Sequence, residues 1–146
     1  FANHIQYVGE RVGTASALKL ANNTLLAANL LSVDAVLNVL ESNGIPNAMA
    51  IDFINTASGR SWVTQQRYPD QILPGRFQYG FSLALHAKDV VTFLQMGEAL
   101  QNDTNTRNCN IAMQSDILRL LHEEYTPHLS CESSIDHTMV RKQPPS

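Results

Sequence analysis

The sequence predicts an all-α fold, a helical bundle built around one long central helix. Three observations carry that prediction. Between Thr14 and Ser42 there is neither Pro nor Gly, and good helix formers dominate. Two later stretches, 82–100 and 111–125, are long enough for helices, and in the first of them the apolar residues recur at helical spacing. No run of strand-like alternation occurs anywhere in the chain.

The first helix should run from Thr14 to Ser42, on the order of 40 Å at the usual rise per residue. Thr14 or Ser16 can cap its start, Gly44 suits a left-handed cap at its end, and Pro46 stops it. Leucines and valines from Leu18 to Leu40 make it apolar on almost every side, which predicts a place in the middle of a bundle or dimer. Pro46 begins a second, shorter helix through about residue 55. Ser58-Gly59-Arg60-Ser61-Trp62, Tyr68-Pro69-Asp70 and Leu73-Pro74-Gly75 then read as a loop-rich stretch that divides the domain without splitting it. Ser82 can cap the third helix, to about residue 100, with Leu83, Ala87, Val90, Val91 and Leu94 as its apolar positions. A polar loop at 102–108, a fourth helix at 111–125, a short last helix at 135–141 and a frayed tail complete the chain.

At 146 residues, 44% of them hydrophobic and 16% charged, the chain has the size and composition of one globular domain. A net charge of −3 without a Lys/Arg cluster outside the tail argues against nucleic acid as a partner. Lys19, Asn22, Asn23, Asn29 and Asp34 interrupt the most apolar stretch, so no membrane span is expected. Cys109 and Cys131 fit no metal or redox spacing and point to a reduced, intracellular protein. His122, His128 and His137 lack ligand spacing, so no metal is expected. The start at Phe1, without an initiator Met, reads as that of a piece of a longer protein.

Two lysines stand out. Lys19 and Asn23 stack one turn apart on the first helix, with Ala15 and Ser16 leaving space beside them. A lysine on a buried helix is costly unless it reaches water, a partner or a ligand. Either Lys19 extends to solvent while Asn23 bonds a neighbouring loop, or the pair serves a ligand. Lys88 shares the stripe Phe81, Ala84, Leu85, Lys88; the plain alternative is a solvated lysine paired with Asp89 or Asp116. There is no Gly-x-Gly-x-x-Gly turn, phosphate-binding loop or Gly-x-Ser-x-Gly motif.

The segment from Val8 through Gly13-Thr14-Ala15-Ser16-Ala17-Leu18-Lys19 to Asn22-Asn23 resembles the opening of the C-terminal domain of the 3-hydroxyisobutyrate dehydrogenase family. More distantly it resembles 6-phosphogluconate dehydrogenase. The resemblance continues through Leu25-Leu26-Ala27-Ala28-Asn29-Leu30, Ser58-Gly59-Arg60-Ser61-Trp62, Gly80-Phe81 and Lys88-Asp89. It implies a 6-phosphogluconate dehydrogenase C-terminal-domain-like fold over residues 1–146, preceded in the whole enzyme by a Rossmann domain absent from this chain. It also implies Lys19 as the catalytic residue, Asn23 as substrate-binding, and Lys88 with Phe81 as cofactor-binding. NAD or NADP would be the cofactor, a small hydroxy acid the substrate, and a homo-oligomer the assembly, in the cytoplasm or mitochondrial matrix. Ala15, where the family usually has a second Gly, and Asp34, where many relatives have Glu, put the substrate's identity in doubt.

The implied reaction is oxidation of a β-hydroxy acid to its semialdehyde or keto acid, and the reverse. Its hydroxyl proton needs a base within hydrogen-bond reach, and burial of Lys19 in an apolar helix would ease loss of its own proton. Alone, the chain should hold half an active site and be inactive. The rival readings are a non-catalytic helical oligomerisation module of a pseudoenzyme or scaffold, and a generic helical binding domain.

Overall fold

The computed structural model describes residues 7–102 and 115–140. Helix α1 spans Thr14–Ser42, α2 Asn47–Thr56, α3 Leu83–Asn102 and α4 Ser115–Tyr125. Between α2 and α3 lies a π-helix, Val63–Ile72, and short 3-10 helices follow α4 at Thr126–Ser130 and His137–Met139. Among the described residues the one β feature is an isolated bridge between Ser82 and Asp136. The expected loop at 102–108 and the start of the fourth helix at 111–114 lie largely outside the described residues.

Gly13, at φ 92°, starts α1 without a side-chain cap, and the Thr14 hydroxyl instead donates back to the Arg11 carbonyl at 2.9 Å. The expected Thr14 or Ser16 cap is therefore replaced by a left-handed glycine. At the other end Gly44 takes φ 79° and Ile45 N–H reaches the Leu40 carbonyl at 3.0 Å, which closes the helix as its sequence predicts.

The segment read as loop-rich winds instead into the π-helix, with Pro69 inside it. Leu73 N–H donates to the Tyr68 carbonyl at 2.9 Å, the five-residue step of such a helix. Pro69 has no N–H to give, and the carbonyl five residues back, that of Thr64, accepts Asn55 Nδ2 at 3.0 Å. An outside donor fills the gap.

Two apolar clusters share α1. Ala27 and Leu31 pack with Leu83, Ala87, Val90 and Leu94 of α3 and with Leu121 and Tyr125 of α4. Leu30 and Leu37, on the adjoining face, pack with Ala50 and Ile51 of α2 and with Val63 and Tyr68 of the π-helix. Each leucine, isoleucine or valine among them, fully buried, contributes about 1.5–3 kcal/mol. The outer face of α1 is bare: Leu18, Leu25, Val36 and Val39 are 51–63% exposed. Within this chain the helix is thus flanked on one side, not central on all sides. By length and composition it is also long and apolar enough to cross a membrane, which the polar interruptions in its sequence had argued against.

Candidate functional site

The site forms where α1, the π-helix and α3 meet. Lys19 and Asn23 lie one turn apart on α1 and so reach the same neighbour. That neighbour is Asp89 of α3. Its Oδ2 accepts Lys19 Nζ at 3.0 Å and Asn23 Nδ2 at 2.8 Å. Lys88 and Asp89 differ by about 100° around the helix axis, so they cannot both face α1. Asp89 turns inward and is 3% exposed, while Lys88 is exposed. Burial by itself would raise the Asp89 pKa; the bonds from Lys19 and Asn23 and the charges of Lys19 and Lys88 hold it below its ordinary range. Asp89, weighed from the sequence as a partner of Lys88, is the ion-pair partner of Lys19. The side chain of Asp116, the other acid weighed, lies outside those described.

Lys19 is not buried in apolar surroundings. Two-thirds of its side chain (66%) is open to solvent, because the covering face of α1 is bare at this end. The desolvation expected to ease its deprotonation is absent from this chain.

Behind the ion pair lies a buried pair of histidines. His86, fully buried on α3, places Nε2 at 2.9 Å from the Asn23 carbonyl. A carbonyl only accepts, so Nε2 carries the proton. Burial lowers the His86 pKa against the pull of that carbonyl and of Asp89. His137 is fixed the other way round: its Nε2 accepts Arg67 Nε at 3.2 Å, so Nδ1–H faces the Phe81 carbonyl, also at 3.2 Å. Burial foremost, with His86 and Arg67 adding and Asp136 opposing, pushes the His137 pKa from 6.5 down to about 4. Both rings are neutral near pH 7.

Phe81 is held by the chain's C-terminal segment. Its carbonyl also accepts His137 N–H at 2.8 Å, and Leu83 N–H donates to the Ile135 carbonyl at 2.7 Å. Asp136 completes the strap by accepting from Gly80 N–H at 2.9 Å and from the Thr138 hydroxyl at 2.6 Å. Gly80 sits at φ 91°, a conformation a side chain would strain.

Beside these groups opens a cavity of about 570 Å³, lined by Asn22, Asn23, Leu25, Leu26, Asn29, Trp62, Val63, Arg67, Tyr79 and Phe81. The structure therefore joins Lys19 to Asn23 through Asp89, and Asn23 to Phe81 across this cavity. Lys88 is not among its lining residues, though its charge acts on Asp89. Sequence reasoning missed Arg67, His86, His137 and Tyr79. His86 carried a signal, a polar residue between Leu83 and Val90 on the buried stripe of α3. Arg67, in the polar run Gln65-Gln66-Arg67, carried none.

Three aromatic walls with the amides of Asn22 and Asn23 give a largely apolar cavity carrying a few polar groups, the general form of a small-molecule site. Residues 13–128 match the family model described as the NAD-binding one of NADP-dependent 3-hydroxyisobutyrate dehydrogenase. The chain belongs to the 3-hydroxyisobutyrate dehydrogenase family. It is 31% identical over 94 residues to 2-(hydroxymethyl)glutarate dehydrogenase of Eubacterium barkeri, covering 64% of this chain and 31% of that protein. It is 29% identical over 115 residues to the mitochondrial 3-hydroxyisobutyrate dehydrogenase of Homo sapiens, covering 73% of this chain and 31% of that protein. The chain thus spans about a third of these relatives. In fold it resembles a Mycobacterium tuberculosis 3-hydroxyisobutyrate dehydrogenase solved with L-serine, at a TM-score of 0.69 and 21% identity, over 88% of this chain and 42% of that one.

Proposed function

We propose that this chain is the helical C-terminal domain of an NAD(P)-dependent oxidoreductase that interconverts a β-hydroxy acid, 3-hydroxyisobutyrate-like, and its semialdehyde or keto acid. The observation that carries the reading is the Lys19–Asp89–Asn23 group beside an aromatic cavity. In this reading a Rossmann domain supplies most of the nucleotide contacts. The support is a described chain without strands, a sequence without a Gly-rich phosphate turn, and relatives more than twice its length. The matching family model is described by NAD binding, and in this reading only the nicotinamide end enters the cavity, against Phe81, while Lys88, which does not line it, is assigned to the cofactor by family resemblance alone.

When bound, the nicotinamide supplies or takes the hydride at the substrate carbon. Lys19 handles the matching proton. As the ammonium it donates to the carbonyl oxygen during reduction; as the amine it accepts the hydroxyl proton during oxidation. Asp89 holds its Nζ in place and Asn23, sharing that carboxylate, presents the substrate to it, a positioning role. Since Lys19 is open in this chain, the water exclusion that eases its proton loss comes from the nucleotide domain and the substrate.

The bare face of α1, continued by Met49 and Phe53 on α2 at 62% and 72% exposure, is the surface for that domain and for a homo-oligomer. An intracellular location, cytoplasmic or in the mitochondrial matrix, goes with this reading. The same bare face favours the second reading, a non-catalytic oligomerisation module. Steady-state kinetics on the two-domain enzyme decide between them. Lys19→Ala should lower kcat by about 10²–10⁴-fold with cofactor affinity nearly unchanged. Near-normal turnover in that variant would leave the module reading standing.

A further inference from the structure

Arg67 is 4% exposed and yet lines the cavity. Its guanidinium carbon stands 2.9 Å from the Tyr79 ring centroid and 4.0 Å from that of Trp62, so aromatic rings cover it. Its Nε is committed to His137. Among the described residues no carboxylate forms an ion pair with it; Asp136 and Asp70 act on it only at a distance. His137, neutral, brings no compensating charge. A buried guanidinium stays protonated and is costly without an anion. With Nε on His137 and a side-chain hydrogen bond to Tyr79, the guanidinium still lacks an anion; its planar fork matches a carboxylate with two parallel hydrogen bonds, and the cavity it lines is where one can reach it.

We propose that Arg67 anchors a second carboxylate of the substrate, distinct from the one every hydroxy acid carries, and so selects dicarboxylic β-hydroxy acids. The choice of substrate rests on the dehydrogenase reading above; the anion site itself does not. The cavity is large enough for a five- or six-carbon diacid, and its walls combine aromatic rings with the Asn22 and Asn23 amides near Lys19. Arg67 then reads one end of the molecule while Asn23 addresses the other.

Trp62 is the chain's single tryptophan and stacks on Arg67, so its fluorescence reports occupancy directly. The test titrates the 146-residue chain with glutarate, butyrate and inorganic pyrophosphate. Glutarate should change the Trp62 signal saturably and bind at least about tenfold more tightly than butyrate. Arg67→Gln should bring that ratio close to one, and Arg67→Lys, which keeps the charge but loses the planar fork, should retain part of it. If circular dichroism shows Arg67→Gln unfolded, the lysine variant decides: an undiminished ratio there overturns the fork. An unchanged ratio in folded Arg67→Gln overturns the proposal, and so does the lack of any response to glutarate. Pyrophosphate favoured over glutarate, and lost in Arg67→Gln, assigns Arg67 to a cofactor phosphate and also overturns it. Turnover assays on the two-domain enzyme separate the two readings. Arg67-dependent glutarate binding without oxidation of any hydroxy acid removes the dehydrogenase reading alone. Turnover that ignores the second carboxylate removes this inference alone.

Discussion

Asp89 accepts two hydrogen bonds on one oxygen, from a charged amine open to solvent and from an amide beside the cavity. Its carboxylate fixes where the Lys19 ammonium sits. Asp89→Asn should therefore lower kcat in both directions through loss of that position, with cofactor affinity nearly unchanged. Steady-state kinetics on the two-domain enzyme check this, and an unchanged kcat would make Asp89 purely structural. That Lys19 and Asn23 share one face was legible from their one-turn spacing in an apolar helix, whereas their roles came only from the family resemblance. Asp89 was legible only as a neighbour, since choosing between it and Lys88 required the rotation of α3.

Over the described residues the four helices were placed well because none holds a Pro and apolar residues recur along each, and α1 matches its expected bounds of Thr14–Ser42. The π-helix was not, because Pro and Gly signal turns in any winding and nothing local to Pro69 announces that Asn55 will satisfy the Thr64 carbonyl. At α3 and α4 the core makes a contrast in consequence. Leu83 is wholly buried, and Leu83→Ala should cost about 2–5 kcal/mol of stability. Tyr125 is equally buried, but its hydroxyl finds no hydrogen-bond partner among the described residues, and burial raises its pKa. Tyr125→Phe should thus leave stability unchanged or raise it by about 1 kcal/mol, since an unsatisfied polar group is removed and the ring kept. Urea titration of both variants checks the pair; a clear loss in Tyr125→Phe would reveal an acceptor.

For the molecule as a whole, three buried histidines shape the response to acid. Burial pushes His137 down from 6.5 to about 4 in the folded chain. Between those values the unfolded chain holds more protons, so stability is fully present above pH 6.5 and declines as pH falls towards 4. His86 and His128 are lowered by burial in the same direction and add to the decline. Asp89 and Asp136, whose pKa values are lowered, act in a different window: their contributions persist until pH falls through the carboxylate range. Urea midpoints at pH 7.5 and 5.5 should accordingly differ, the second lower, and His137→Gln should narrow the gap. Equal midpoints would mean that acid does not reach these rings' linkage. Protonating His137 also removes the acceptor of Arg67 Nε, so the loss should begin around the cavity.

The winding of Val63–Ile72 has one more consequence. In an α-helix, residues five apart lie about 140° from each other, and Arg67 could not cover Trp62. A helix stepping by five returns them to one side, and the stack at 4.0 Å is made possible by that step. The segment is thereby equivalent to an α-helix carrying one supernumerary residue. Dropping exposed Gln65 or Gln66 and rewinding to a four-residue step restores the same alignment. This stretch can absorb a change in chain length that would dismantle the site anywhere along α1 or α3.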